Sequence, residues 1–199
     1  MESMENEFDY LHSSLNSYAI ITDDTWSKIK SFSRIKVIKK SDLLIQMGQI
    51  PTHFYFVYKG LFRAFCFGGK DGTKEINKVF FKEGSYPASV CAALKQEQSL
   101  FAIEALEDSI VIQIDYKRYR NLLEEKEDLK WFHIKYIEQN WIIEKEIQEV
   151  SLLSDDAKER YLQFLSKYPE LVERLPLFHL ASKLGITPTQ LSRIRNDFK

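Results

Sequence analysis

Seven short β-rich runs between Arg34 and Asp115 constrain most strongly what this chain can fold into. They read IKVIKK, LLIQMG, HFYFVYKG, LFRAFCFG, EINKVFF, LFAIEAL and SIVIQID, and turn signals such as GQIP and KEGS separate them. Many short strands at such spacing indicate an antiparallel jelly roll or barrel. We therefore expect residues 34–116 to form an antiparallel β-roll within an α+β chain.

The sequence on either side of the β-rich region is typical of helices. Residues 1–33 are expected to form an N-terminal helical segment, and residues 116–168 contain neither glycine nor proline. The apolar residues of this second segment lie on two faces of one helix. We expect one face to contact the chain's own β-roll and the other to contact the same helix of a second copy. Burial of the helix within one domain is the alternative. We assign residues 117–153 to this dimerisation helix, with one stripe of Leu129, Phe132, Tyr136, Gln139, Ile143, Ile147 and Val150 and a second of Ile134, Ile137 and Trp141.

A last, all-helical domain is expected over residues 154–199. Ser154 is a candidate N-cap for the helix that follows it, because a serine side chain can accept a hydrogen bond from a first-turn amide. That helix should end by Tyr168, since Pro169 disfavours helical geometry in the residue before it.

Two short helices joined by a tight turn are expected at the end of the chain. RLPLFHLASKLG predicts a helix that starts at Pro176 and stops at Gly185. TPTQ predicts a second helix from Pro188, because Thr187 can cap it and Gln190 can reach back to the cap amide. A turn this short makes the two helices cross steeply, as in a helix-turn-helix.

The second of these helices has two chemically different faces. Leu191, Ile194 and Phe198 should pack inward, whereas the opposite face carries a guanidinium, an amide and two hydroxyls, groups that read base edges in a major groove. A solvated face of an ordinary helical hairpin is the alternative. Arg195, Lys199 and Lys183 lie nearer the flanks and suit phosphates. The candidate DNA-binding residues are Thr187, Thr189, Gln190, Ser192, Arg193, Arg195, Asn196, Lys199 and Lys183.

The order of β-roll, long helix and terminal helix pair resembles the CRP/FNR family of bacterial transcription regulators. KEGSYPASV, IEALEDSIVIQI, ERYLQFLSKYPEL and LASKLGITPTQLSRIR carry the resemblance, which is strongest to a branch found in Bacteroidetes-type bacteria. It implies a cyclic-nucleotide-binding-type fold, a parallel homodimer and a base-contacting role for Arg193. Double-stranded DNA with two half-sites about 34 Å apart is the implied partner, and RNA polymerase is an expected further partner.

The same resemblance places the ligand site of the β-roll. Cyclic-AMP-binding members carry a glycine-glutamate pair and an arginine-serine or arginine-threonine pair, and their positions are held here by Ala88–Ser89 and Gln98–Ser99. Without the carboxylate and the guanidinium we expect no cyclic AMP binding. Ser85, Tyr86, Ser89, Gln98 and Ser99 could line a pocket for a less charged effector, which the sequence leaves unknown, or they could be ordinary turn and core residues.

Other classes of function find no support in the sequence. No phosphate-gripping glycine loop, metal-spaced His/Cys cluster or nucleophile with a base is evident, so we expect neither an enzyme nor a cofactor or metal. Cys66 and Cys91 are expected to be buried small apolar residues. An acidic start and the absence of long apolar runs predict a cytoplasmic protein without a membrane span. A small-molecule sensor or scaffold that acts on a protein partner without binding DNA is the alternative function.

Overall fold

The structure is a computed structural model that describes the backbone of residues 2–69 and 71–197, and side chains from residue 7 onward. Each predicted β-rich run contains a strand. Helices α1 (Glu2–Asn16) and α2 (Asp23–Ser31) precede β1 (Ser33–Ile38), β2 (Leu43–Ile45), β3 (His53–Lys59), β4 (Phe62–Gly68) and β5 (Lys74–Phe81). Then come α3 (Val90–Lys95), β6 (Ala102–Ala105), β7 (Ser109–Asp115), α4 (Tyr116–Glu125), α5 (Glu127–Ile137), α6 (Glu144–Ser154), α7 (Ala157–Lys167), α8 (Pro169–Arg174), α9 (Leu177–Leu184) and α10 (Pro188–Asn196).

The strands form two antiparallel sheets. One has the order β1-β7-β3 and the other the order β2-β6-β4-β5. Strand β7 is central to the first sheet, where Ile112 lies opposite Ile35 of β1 and Phe56 of β3. Apart from the β4–β5 hairpin, strands that are neighbours in a sheet are not consecutive in the sequence, as expected for a roll closed by crossing connections. The predicted antiparallel β-roll is confirmed.

Alternation along the strands builds two apolar cores. In β3, Tyr55 and Val57 face the interior of the roll, whereas Phe56 faces the helices, because successive strand residues point to opposite sides. The interior also contains Phe62, Ala64, Ile103, Ala105 and Val111, all fully or almost fully buried. The outer core joins Phe56, Ile112 and Ile114 to helix residues such as Leu11, Leu122, Leu129 and Phe132.

Asp128 ties the start of α2 to the start of α5. Its carboxylate accepts hydrogen bonds from the Thr22 amide (2.8 Å) and hydroxyl (2.9 Å), the Thr25 hydroxyl (2.9 Å) and the Leu129 amide (2.8 Å). Burial opposes ionisation of this carboxyl, but the four hydrogen bonds outweigh it and lower the pKa of Asp128. The carboxylate therefore fixes where two helices begin that are a hundred residues apart in sequence.

The predicted long helix is interrupted by a wider turn. Residues 127–154 are helical throughout, but Glu138–Ile143 form a π-helical segment between α5 and α6. A π turn holds more residues than an α turn, so the three-to-four spacing of the predicted stripes does not continue through it. Leu129 and Phe132 are buried, whereas Ile143, Ile147 and Val150 are more than half exposed.

The chain divides into two compact units. The first contains Met1–Cys66 and Val79–Glu138, and the second contains Phe67–Lys78 and Gln139–Lys199. Strands β4 and β5 therefore cross from one unit into the other, and the hairpin between them belongs to the same unit as α9 and α10. Within the described part of the chain, no helix combines the length and apolar character needed to cross a membrane.

The start of α7 differs from the prediction. Ser154 is the last residue of α6, and its hydroxyl donates to the Val150 carbonyl (2.9 Å) instead of capping the next helix. Asp156 is the N-cap, because its carboxylate accepts from the Lys158 and Glu159 amides while the Glu159 side chain returns to the cap amide. Serine and aspartate are comparable caps, and the reciprocal bond with Glu159 accompanies the choice of Asp156. The predicted end before Pro169 is confirmed.

The cysteine prediction is wrong for Cys91 and holds only in part for Cys66. Cys91 is exposed and Cys66 is half-buried. Cys91 lies on α3, a short helix that buries Ala92 and Ala93 and leaves the cysteine side outward. Helix α3 was not predicted from the sequence, since six residues are too few for a recognisable helical period.

Gly60 is the position where the fold most requires glycine. Its φ is +118°, and an added Cβ would lie 2.0 Å from the Ser109 Oγ and 2.9 Å from the Ser109 Cα. Gly48 also has a positive φ (+82°), but an added Cβ there meets nothing within 4 Å. The two glycines separate backbone strain from steric overlap.

We expect Gly60→Ala to destabilise the protein by about 3 kcal/mol, the sum of left-handed backbone strain and overpacking against β7. Gly48→Ala is the matched control and should cost only about 1 kcal/mol of strain. Urea unfolding of both variants measures the difference. Equal losses of unfolding free energy would show that Ser109 yields without cost.

Candidate nucleic-acid interface

Helix α9 has the predicted bounds. Pro176 is its N-cap, and it ends at Gly185, whose φ of +73° is readily adopted by glycine. Leu180, Ala181 and Leu184 are buried along one face. The amide of Ile186 donates to the Ala181 carbonyl (3.0 Å), which satisfies a carbonyl group at the helix end.

Helix α10 begins as predicted. The Gln190 backbone amide donates to the Thr187 hydroxyl (3.2 Å), and the Thr187 backbone amide donates to the Gln190 side-chain Oε1 (2.9 Å). The reciprocal capping box is therefore complete. Pro188 occupies the first helical position, where its missing N–H costs nothing. The side chains of Thr187 and Gln190 are thus engaged at the helix start, and a base contact by Gln190 would compete with this cap.

The two faces of α10 are as different as the sequence predicts. Leu191 is fully buried, and Ile194 is half-buried. The opposite face is exposed and carries the side chains of Thr189, Ser192, Arg193 and Asn196. Phe198, predicted to pack inward, lies outside the described residues. The structure therefore brings the four predicted base-reading side chains to one exposed surface, which we call the α10 outer face.

The three predicted phosphate contacts do not share one environment. Arg195 lies half-buried at the flank of α10, and Lys199 lies outside the described residues. Lys183 points elsewhere: its ammonium donates to the carbonyl of Lys78 on β5 (2.6 Å). Burial and, secondarily, the charge of Lys78 lower the pKa of Lys183. Lys183 therefore has an internal partner that its position in the sequence did not reveal.

Arg160 supports the helix pair and escaped the sequence analysis. Its guanidinium on α7 donates to the carbonyl of Leu184 at the end of α9 (3.2 Å) and to the carbonyl of Asp155. A cation at a helix C-terminus satisfies open carbonyls and interacts favourably with the helix dipole. No local motif marks this arginine, because its partner is 24 residues away.

The candidate ligand residues of the β-roll fall into different surroundings. Ser89 and Ser99 are buried with their hydroxyl oxygens 2.9 Å apart, and the Ser99 hydroxyl also lies 2.7 Å from the Phe101 carbonyl oxygen. Ser85 is half-buried and Gln98 is exposed. Ser89, which holds the glutamate position of the resemblance, therefore bonds to Ser99, whereas Gln98, which holds the arginine position, is exposed.

Tyr86 belongs to the outer core. Its ring packs against Phe56, Phe132 and Tyr136 with centroids 5.0, 6.0 and 5.1 Å away, and its hydroxyl lies 3.0 Å from the Ser14 hydroxyl. Burial raises the pKa of this phenol well above its ordinary value. The side chain fills space between the sheet and the helices, as a core residue does.

A buried ion pair in the second sheet was also missed. The Arg63 Nε on β4 donates to the Glu104 carboxylate on β6 (2.6 Å), and the guanidinium lies 4.1 Å from the centroid of the Phe65 ring. Arg63 is 5% exposed, so the carboxylate offsets a charge that would be costly to bury alone. Register places these residues opposite each other, and only the strand pairing could have revealed it.

Comparisons with known proteins agree with this architecture. Residues 35–126 match the family model of the cyclic nucleotide-binding domain. FixK2 from Bradyrhizobium japonicum has a similar structure at 14% identity, with a TM-score of 0.68 and 83% of each chain covered. The c-di-GMP responsive global regulator CLP of Xanthomonas campestris shows 15% identity and a TM-score of 0.66, over 89% of this chain and 91% of that chain.

A CooA mutant from Carboxydothermus hydrogenoformans is similar at 20% identity, with a TM-score of 0.65 over 84% of this chain and 77% of that chain. No curated protein sequence matches the chain significantly. Likeness at such low identity establishes the fold. The chain therefore carries an antiparallel cyclic nucleotide-binding domain followed by helices, the architecture of its structural neighbours in the CRP/FNR regulator family.

Proposed function

We propose that this protein is a homodimeric, sequence-specific DNA-binding transcriptional regulator of CRP/FNR type. The α10 outer face carries the proposal. It presents Arg193, Asn196 and two hydroxyls to solvent, while Leu191 is fully buried on the opposite side. An exposed helix face that presents a guanidinium and a side-chain amide, without a large apolar side chain, is suited to the major groove.

The side chains of this face suit different parts of a DNA duplex. Arg193 can form two hydrogen bonds to guanine, Asn196 can form two to adenine, and the hydroxyls of Thr189 and Ser192 accept or donate as the base requires. Arg195, at the flank, is placed for a phosphate. In this proposal residues 154–199 form the helix-turn-helix domain, and α10 is its recognition helix.

An exposed apolar row that runs from the end of the π-helical segment into α6 supports a homodimer. Ile143, Ile147 and Val150 are 53%, 57% and 57% exposed, and they line a groove between α6 and α7 together with Glu146 and Gln163. Water contact with such a row is unfavourable, and pairing with the same helix of a second copy removes it. The apolar row thus favours residues 117–153 as the dimerisation region. Two recognition helices would then meet a pseudo-palindromic site.

We propose further that the β-roll, residues 34–116, is a sensor-like domain that does not respond to cyclic AMP. A cyclic phosphate needs charge-assisted partners in a buried site. Ser89 and Ser99 provide only hydroxyls, and these already share a hydrogen bond. RNA polymerase is the natural further partner of such a regulator, which would act in the cytoplasm as a binding protein and not as an enzyme.

Selection of random duplex DNA by the purified protein tests the proposed function. We expect enrichment of two inverted half-sites about 34 Å apart at physiological salt, without an added ligand. Binding to the enriched duplex should weaken steeply as salt rises, because phosphate contacts release counterions. Enrichment of no sequence would contradict the proposal and would favour a protein partner for the helix pair.

Arg193→Ala should remove sequence preference at one base position of each half-site. The expected loss is about 1–3 kcal/mol per bidentate contact, measured as the change in dissociation constant on the selected duplex. Arg195→Ala is the matched control on the same helix. It should weaken all sequences alike and reduce the salt slope by about one for each subunit. Unchanged binding by Arg193→Ala would rule out the α10 outer face as the reading surface.

Calorimetric titration with cyclic AMP should give no binding heat in the micromolar range. The physical reason is that Ser89 and Gln98 supply neither the carboxylate nor the guanidinium of the cyclic-AMP-binding pattern. A protein with Ser89→Glu and Gln98→Arg is the comparison, since it restores both charges at the positions that the resemblance assigns to them. A micromolar dissociation constant for the wild-type protein would disprove the proposed indifference to cyclic AMP.

A further inference from the structure

Strand β5 is joined to α9 by hydrogen bonds that span about a hundred residues of sequence, and we call this set the β5–α9 contact. The Asn77 backbone amide donates to the Ser182 hydroxyl (3.1 Å), which itself donates to the Glu75 carbonyl (3.1 Å). The Asn77 Nδ2 donates to the His179 carbonyl (3.0 Å), and Lys183 donates to the Lys78 carbonyl (2.6 Å). All of these residues lie in the same compact unit.

The centre of the β5–α9 contact is buried. Asn77 is 4% exposed and His179 is 6% exposed. Removing one partner of a buried hydrogen bond leaves the other without compensation, so such bonds hold their groups in one arrangement. The contact is thus more demanding in geometry than the apolar packing between α9 and its neighbours.

The bonding pattern also fixes the chemistry at its centre. A carbonyl oxygen can only accept, so the Asn77 group that faces the His179 carbonyl must be its NH2. The same Nδ2 lies 3.2 Å from the His179 Nδ1, which must therefore accept. Donors and acceptors lie on both elements, and the Ser182 hydroxyl both accepts from the Asn77 backbone amide and donates to the Glu75 carbonyl.

The β5–α9 contact leaves the α10 outer face uncovered. Ser192, Arg193 and Asn196 are exposed while the contact is formed. Because Leu191 on α10 is fully buried and α10 packs against α9, a shift of α9 would move the recognition helix with it. The contact therefore orients the reading surface without occupying it.

We propose that Asn77 and Ser182 are positioning residues for DNA recognition, through which the β4–β5 hairpin sets the orientation of α9 and α10. This inference rests on the proposed function. In this proposal a part of the cyclic nucleotide-binding domain contributes to the specificity of the helix pair, and the buried Asn77 acts through α9 without contacting a base.

The test compares Asn77→Leu and Ser182→Ala with wild type on two duplexes, the selected site and a random sequence of equal length. Asn77→Leu keeps the branched side-chain shape and removes the side-chain NH2 group, whereas Ser182→Ala removes a single hydroxyl. We expect each variant to lose about tenfold or more in affinity for the selected site. Affinity for the random duplex should change less than about twofold, since phosphate contacts tolerate a reoriented helix.

Thr73→Ala, an exposed substitution on the same hairpin, is the matched control and should bind both duplexes like wild type. Parallel loss of affinity for both duplexes, together with a lower melting temperature, would overturn the inference, because it would mark a purely structural role. Retained preference for the selected site in Ser182→Ala would overturn it as well. If the wild-type protein selects no duplex, the proposed function fails and the inference falls with it.

Discussion

Burial of Leu191 on α10, the helix that packs against α9, is the interaction on which the rest of the candidate interface depends. One fully buried side chain fixes the rotation of α10 about its own axis, because residues three or four positions away must then lie beside it and the others opposite. Thr187 and Gln190 fix where that helix begins, and Gly185 allows the chain to turn into it. The exposed position of Arg193 and Asn196 follows from these constraints and needs no further device.

Local rules account for the parts of the fold that the sequence predicted. The strands follow from alternation and turn residues, and the ends of α9 and α10 follow from Pro176, Gly185 and the Thr187 cap, all of which act within a few residues. The start of α7 was misplaced by two residues because Ser154 and Asp156 are both acceptable caps, and only the hydrogen bonds decide between them.

Features that depend on contacts between distant segments could not be predicted in this way. The residues around Lys183 in the sequence do not reveal that its ammonium donates to the Lys78 carbonyl. The residues around Arg63 likewise do not reveal its ion pair with Glu104. The hydroxyl pair of Ser89 and Ser99 is a similar case, since the resemblance located both positions but not their mutual bond. Sequence patterns place residues on a face, whereas the three-dimensional fold chooses their partners.

The position of Lys183 has a consequence for how such a protein would search DNA. An ammonium bonded to a carbonyl within the protein makes no direct contact with a phosphate, so it adds less to the attraction that every sequence exerts equally. Weaker retention on random sequence shortens each non-productive encounter, and the protein returns to solution sooner. In the proposed complex, the time spent bound would then be set by the fit of α10 to its bases and less by the charge of the duplex.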